Sequence, residues 1–142
     1  MPAARNTTTI ARPVGEVFAF VADGENARRW RPGVLDVQRV AGTGVGATYK
    51  QGVKGPGGRR VDADYVITAF EPDRRIAFKA TAGPVRPEGE YLFEDLGAST
   101  RLTMSLSAEL SGFKALLMGG AVQKTMESEV RTIESIEGQL GG

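Results

Sequence analysis

Apolar and polar residues alternate along the middle of the chain, whereas apolar residues recur at helical spacing towards its two ends. Alternation of this kind is typical of strands with one buried face. Gly, Pro, Asp and Ser cluster between the alternating stretches, which indicates short turns and favours an antiparallel meander. The predicted strands of this middle part are residues 34–40, 48–53, 60–70, 74–80, 88–95 and 100–110.

The N-terminal part predicts one further strand and a helix. Residues 5–12 are β-branched and polar, as expected for an edge strand. Pro13 suits the first position of a helix, where its missing N–H has no partner to lose. The predicted helix has an apolar face made of Val14, Val17, Phe18 and Val21.

A second, polar helical turn is predicted over residues 25–31. Gly24 can end the first helix in the left-handed conformation, and Asp23 can cap the second. This turn carries Trp30, the single tryptophan of the chain, and Pro32 stops it. The neighbouring arginines are expected to form a solvated face; they are Arg28, Arg29 and Arg31.

Residues 113–140 predict a long C-terminal helix with two apolar surfaces. One stripe consists of Val122, Met126, Val130, Ile133, Ile136 and Leu140. Phe113, Leu116 and Leu117 point to nearly the opposite side. Because the stripes change face at Gly119-Gly120, and glycine is a poor helix former, we expect a kink or break there. The alternative is a straight helix with an exposed apolar first turn.

Composition limits the chemistry of the chain. Its 142 residues fit a single domain, residues 1–142. Neither cysteine nor histidine is present, so disulfides, thiolate or imidazole metal ligands and Ser-His-Asp or Cys-His catalysis are excluded. The glycine-rich run 42–47 precedes a predicted strand rather than a helix, unlike a phosphate-binding loop. We expect neither a metal nor a cofactor.

Charge and hydropathy indicate a cytoplasmic protein. The net charge of +1 does not favour nucleic acid as a partner. The sequence has no apolar run long enough to span a membrane, and residues 1–12 lack the apolar stretch of a signal peptide. Nothing in the sequence predicts the oligomeric state.

The inward faces of the predicted strands are apolar with a few hydroxyl groups. Tyr49, Tyr65 and Tyr91 share this surface with apolar residues and with Gln51. Most carboxylates lie on outward positions or in turns, and no pair is placed to act together, so no catalytic residue is predicted. Two interpretations stay open at this point: a ligand cavity and a packed core with tyrosines at its rim.

The order of elements resembles the helix-grip fold of the START/Bet v 1-like (SRPBCC) superfamily, in particular its polyketide cyclase/dehydrase-type members. The resemblance covers nearly the whole chain. It rests on the stretches ARPVGEVFAFVADGENARRW, GVGATYKQ, VITAFEPDRRIAFKAT, GEYLFED and STRLTMSL. It implies an α+β fold in which a seven-stranded curved antiparallel sheet wraps around the long C-terminal helix, with two short helices between strands 1 and 2.

The resemblance also implies a cavity for an apolar ligand between sheet and helix. Trp30 is then expected to point towards the sheet, either as a plug of the core or as a ligand contact. The candidate ligand-binding residues are Trp30, Tyr49, Tyr65, Ile67, Phe78, Tyr91, Phe93, Met104, Met118 and Val122.

Three functions are compatible with the sequence. The first is binding of a hydrophobic small molecule, lipid or polyketide-like. The second is a polyketide cyclase or dehydratase that polarises its substrate with Tyr65, Tyr91 or Arg86. The third is an interaction module that uses the apolar surface near Phe113, Leu116 and Leu117. Whether the chain is an enzyme is not decided by its sequence.

Overall fold

The computed structural model describes residues 2–83 and 85–140, except for the side chains of residues 56 and 113–116. In this described part the strands are β1 (Ala3–Ile10), β2 (Val34–Ala41), β3 (Thr48–Lys54), β4 (Arg60–Asp62), β5 (Tyr65–Glu71), β6 (Arg75–Ala80), β7 (Glu88–Asp95) and β8 (Thr100–Ser107). The α-helices are α1 (Val14–Ala22), α2 (Ala27–Trp30), α3 (Gly112–Arg131) and α4 (Ile136–Leu140).

The strands form one curved antiparallel sheet in the order β1-β8-β7-β6-β5-β3-β2. The chain runs as a meander from β2 to β8, and β1 then pairs with β8, so β1 and β2 are the edge strands. The α+β helix-grip architecture, the two short helices between the first two strands and the edge position of the first strand are therefore confirmed.

The predicted strand 60–70 is in fact two strands, which makes the sheet eight-stranded where the short β4 is counted. The break lies at Ala63 and Asp64, where the Asp64 carboxylate accepts the backbone N–H of Gln51 at 3.0 Å. The Asp64 side chain, rather than a backbone carbonyl of a neighbouring strand, accepts this hydrogen bond of β3. Both segments consequently pair with β3, β4 with its end and β5 with its start.

A register shift in β5 explains its irregular pattern. Ile67 pairs with Phe78, and Phe70 pairs with Ile76, with an extra residue between Ile67 and Ala69. Such a bulge reverses the alternation, so both Ile67 and Phe70 lie on the inner face. The aromatic ring of Phe70 contacts that of Phe18 from α1, with 5.4 Å between centroids.

The N-terminal helices pack at one end of the sheet. Phe18 of α1 packs edge-on against Phe93 of β7, with 5.0 Å between ring centroids. Asp23 accepts a hydrogen bond from the Glu25 backbone N–H at 3.1 Å and so caps the short helical turn before α2. Trp30 at the end of α2 is 4% exposed.

The long helix α3 packs on β1 and β8, and α4 follows a 3₁₀ turn at Thr132–Ser135. Its predicted apolar stripe is confirmed, since Met126, Val130, Ile133 and Ile136 are buried and Val122 and Leu140 are partly buried. No helix of the described residues has the length and apolarity required to cross a membrane.

The predicted break at Gly119-Gly120 is wrong, because α3 continues through both glycines. Each glycine costs a helix only about 1 kcal/mol relative to alanine, which a helix of 20 residues can absorb. Helical geometry changes at Thr132 instead. Of the second apolar surface, Leu117 is 65% exposed, whereas Phe113 and Leu116 lie outside the described side chains.

Candidate ligand-binding site

Five aromatic side chains form a continuous row across the inner face of the sheet. Neighbouring rings have centroids 4.8 Å apart for Tyr49–Tyr65, 6.0 Å for Tyr65–Phe78, 5.7 Å for Phe78–Tyr91 and 6.0 Å for Tyr91–Trp30. The row follows the strand order β3, β5, β6 and β7 and ends on α2. We call these five residues the aromatic row. They present a nearly unbroken apolar wall that carries three hydroxyl groups.

Two glycines make room for this row. At Gly89, which pairs with Phe78, an added Cβ would lie 2.5 Å from the tip of the Phe78 ring. At Gly24, an added Cβ would lie 2.4 Å from the Tyr65 hydroxyl and 2.6 Å from the Tyr49 ring. The Gly24 backbone N–H donates to the Tyr49 hydroxyl at 3.3 Å. The turn between the helices therefore rests directly on the tyrosine end of the row.

A polar cluster, which we call the polar end, lies beside the Trp30 end of the row. Arg31 Nε donates to Glu129 Oε2 at 2.9 Å, and Arg31 Nη1 donates to Gln51 Oε1 at 3.4 Å. Gln51 Nε2 donates in turn to the Ala63 carbonyl at 3.2 Å. The side chains of Arg31 and Glu129 are only 16% and 21% exposed. The loop after α2, strand β3 and helix α3 thus meet at one partly buried ion pair.

Two opposing effects act on the pKa of Arg31. Burial lowers it, while the charge and the hydrogen bond of Glu129 raise it, and the net result is a pKa above the ordinary value. Arg31 therefore stays a cation. Because the ion pair is largely withdrawn from water, salt screens it less than a surface pair.

The hydroxyls of Tyr91 and Tyr65 stay neutral. Burial raises the pKa of Tyr91 to about 12, although the charge of Arg31 acts in the opposite direction. Burial is also the main cause of the raised pKa of Tyr65, and Tyr91 and Tyr49 raise that pKa further. Within the described part of the chain, neither hydroxyl donates a hydrogen bond. Both are hydrogen-bond donors at neutral pH rather than bases.

The structure brings six of the ten candidate residues together. Five of these six residues form the aromatic row. The sixth, Ile67, pairs with Phe78 beside the row. Phe93 lies under α1 against Phe18, and Met104 is 1% exposed within the core. Met118 and Val122 are partly buried on α3. Their roles in ligand binding stay predictions.

Sequence reasoning placed Gln51 of the polar end on the inner face, where it is buried, but missed Arg31 and Glu129. Arg31 was expected on a solvated face with Arg28 and Arg29, which are exposed, but it points inward and pairs with Glu129. A signal for Glu129 was available, since it lies three residues after Met126 and four before Ile133 on the apolar stripe. Arg86, a candidate donor, is exposed and donates to the nearby Gly83 carbonyl at 3.4 Å.

The arrangement combines an apolar aromatic surface with hydrogen-bond donors at one end of it. Ligand sites are commonly of this kind, mostly apolar with a few oriented polar groups. No group of three or more acidic side chains that could hold a metal ion occurs in the described residues.

A surface groove elsewhere on the molecule contains no residue of the aromatic row or of the polar end. It has a volume of about 370 Å³ and lies between β1 and α3. Gln123 on its floor donates to the Ala3 carbonyl at 2.7 Å and accepts from the Ala3 N–H at 2.9 Å. These bonds satisfy the backbone N–H and C=O of Ala3, so the edge of β1 is not free to pair with another strand at this residue.

Comparison with protein families gives one match over most of the chain. The family described as polyketide cyclase / dehydrase and lipid transport matches residues 1–134. No curated protein matches the chain.

Several solved structures share the fold. A protein from Thermus thermophilus is 23% identical with a TM-score of 0.83, covering 98% of this chain and 97% of that protein. A START superfamily protein from Mycobacterium smegmatis is 17% identical with a TM-score of 0.80, covering 98% and 97%. The Zhui aromatase/cyclase from Streptomyces sp. R1128 is 19% identical with a TM-score of 0.70, covering 97% and 90%. At these identities the similarity shows the fold alone.

Proposed function

The chain belongs to the polyketide cyclase/dehydrase and lipid transport family, and we propose that it binds a hydrophobic small molecule, lipid or polyketide-like, between the sheet and helix α3. One observation carries the proposal: the aromatic row of the inner face ends at buried hydrogen-bond donors. A partly buried ion pair carries a desolvation cost that a wholly apolar core avoids, and its place beside the row supports a polar role there.

The exposure of the aromatic row supports one position for the ligand. Tyr65 and Phe78 are only partly buried, whereas Tyr91 and Trp30 are 7% and 4% exposed. The ligand's apolar body would lie along Phe78 and Tyr65, and its oxygen atoms would face Tyr91 and Arg31. Val85, in the loop after β6, and Val122 of α3 are also partly buried against the core and would flank the entry.

Native mass spectrometry of the purified protein tests the proposal. A co-purified apolar compound should appear as a mass increment that is lost on denaturation. Methyl cis-parinarate, an apolar fluorescent ester, should bind saturably and quench or shift the emission of Trp30. Absence of both the increment and saturable binding would contradict the proposal. Saturable binding with unchanged Trp30 emission would leave Trp30 as a plug of the core.

A second candidate function is cyclase or dehydratase chemistry by polarisation. The observation in its favour is the Arg31 guanidinium close to the neutral hydroxyls of Tyr91 and Tyr65. Donors of this kind can stabilise an enolate oxygen and thereby make a ketone more reactive in an aldol cyclisation. Arg31 would then polarise the substrate, the role for which Arg86 was a candidate from the sequence. The test is the rate of cyclisation of a poly-β-ketone thioester with the wild type and with Tyr91→Phe. Equal rates with and without protein would exclude this chemistry for that substrate.

A further inference from the structure

The polar end holds its charges in balance. The guanidinium of Arg31 contacts the carboxylate of Glu129 at 2.9 Å and is thereby compensated. A second carboxylate, Asp64, accepts the Gln51 backbone N–H 3.0 Å away, on the far side of the glutamine that Arg31 also contacts. The positive charge of Arg31 is therefore compensated by Glu129 within the site.

The tyrosine hydroxyls on which Arg31 acts electrostatically carry no charge. Tyr91 and Tyr65 keep their protons at neutral pH, and Arg31 acts electrostatically on both hydroxyls. Asp23, at the other end of the row, acts on Tyr65 as a further negative charge. The site thus offers O–H and N–H donors to a ligand without offering it a net positive charge.

Such a site would bind a ligand carboxylate only weakly. Moving a carboxylate out of water costs several kcal/mol unless a cation pairs with it. Among the described side chains at the polar end, the cation is Arg31, and it is already paired with Glu129. A ketone, an ester or another neutral acceptor can use the same donors without that cost.

We propose that Glu129 sets the charge selectivity of the site, so that the protein prefers a neutral apolar ligand with a carbonyl-type oxygen over the carboxylate of the same body. This inference rests on the proposed ligand-binding function. It makes Glu129 a specificity-determining residue that acts through Arg31.

The test compares two probes that differ only in charge, methyl cis-parinarate and cis-parinaric acid, by fluorescence titration. We expect the wild type to bind the ester at least tenfold more tightly. Glu129→Gln frees the guanidinium and should raise the affinity for the acid at least tenfold, with the affinity for the ester changed less than threefold. Glu127→Gln is the matched control, because it removes the same charge from an exposed position of α3. It should leave the ratio of the two affinities as in the wild type.

A reciprocal variant keeps the test decisive if Glu129→Gln does not fold. Arg31→Gln leaves Glu129 without its cation. The affinity for the acid should therefore fall at least tenfold relative to the affinity for the ester. Thermal melts establish which variants are folded. Binding of both probes with the same affinity ratio in the wild type and in a folded Glu129 or Arg31 variant overturns the charge selectivity while leaving ligand binding intact. Failure of both probes to bind the wild type refutes ligand binding itself, and the selectivity with it.

Discussion

The phenol rings of Tyr49 and Tyr65 stack face to face, with 4.8 Å between their centroids and 9° between their planes. They occupy directly paired positions of β3 and β5. Both rings also contact the turn at Gly24, whose N–H donates to the Tyr49 hydroxyl. Sheet and helical turn therefore hold this end of the aromatic row together, so that a change in the turn is transmitted to the site.

Gly24→Ala should destabilise the fold by about 1–3 kcal/mol, because the new methyl group would collide with Tyr65 and Tyr49. Affinity for methyl cis-parinarate should fall as well. Gly15→Ala is the matched control: it lies in α1, where an added Cβ has no described atom within 4 Å, and it should stabilise by up to about 1 kcal/mol. Urea denaturation measures both. Equal effects of the two substitutions would contradict the described contact.

Phe78→Ala should cost less than Phe93→Ala. Phe93 is 7% exposed and packs against Phe18, so its loss should reach about 3–5 kcal/mol. Phe78 is only partly buried and loses fewer contacts. Denaturant unfolding gives the two free energies, and a full-size loss at Phe78 would indicate a solid core where we propose a ligand.

Stability should decline at alkaline pH through Tyr91. Its pKa is raised from 10.0 to about 12 by burial, so the folded state holds the phenolic proton more tightly than the unfolded state. This contribution is complete below pH 10 and is lost as pH rises through about 12, on the order of 3 kcal/mol. Tyr91→Phe should show a smaller decline over this range in unfolding experiments. An identical decline in wild type and variant would refute the shift.

Alanine at Gly119 and Gly120 should stabilise α3 by about 1 kcal/mol for each substitution, because helix propensity rises and an added Cβ meets no described atom within 4 Å. Thermal melts measure the gain. Since α3 is continuous here, rates of methyl cis-parinarate entry and exit in stopped-flow mixing should not change. Slower rates would show that the glycines act as a hinge, and a lower melting temperature would show that they are closely packed.

The order of the elements and the inner face of most strands could be predicted from local pattern. In β7, alternation places Tyr91 and Phe93 inside and Glu88 and Glu94 outside, and the structure agrees. The cap at Asp23 could likewise be predicted, since it needs only residues that are neighbours in the sequence. Four candidate residues of the aromatic row, Tyr49, Tyr65, Phe78 and Tyr91, lie side by side because strand alternation and strand order together determine their positions.

Contacts between distant parts of the chain were decided only by the tertiary structure. Arg31 and Glu129 are 98 positions apart, and nothing local to either residue specifies the other as its partner. The division between β4 and β5 depends on the Asp64 side chain reaching the backbone of β3. The sequence by itself determined which faces are apolar, because burial follows a short period along each strand and helix. The structure alone decided where charge enters that apolar interior, because an ion pair forms only where packing brings two elements together.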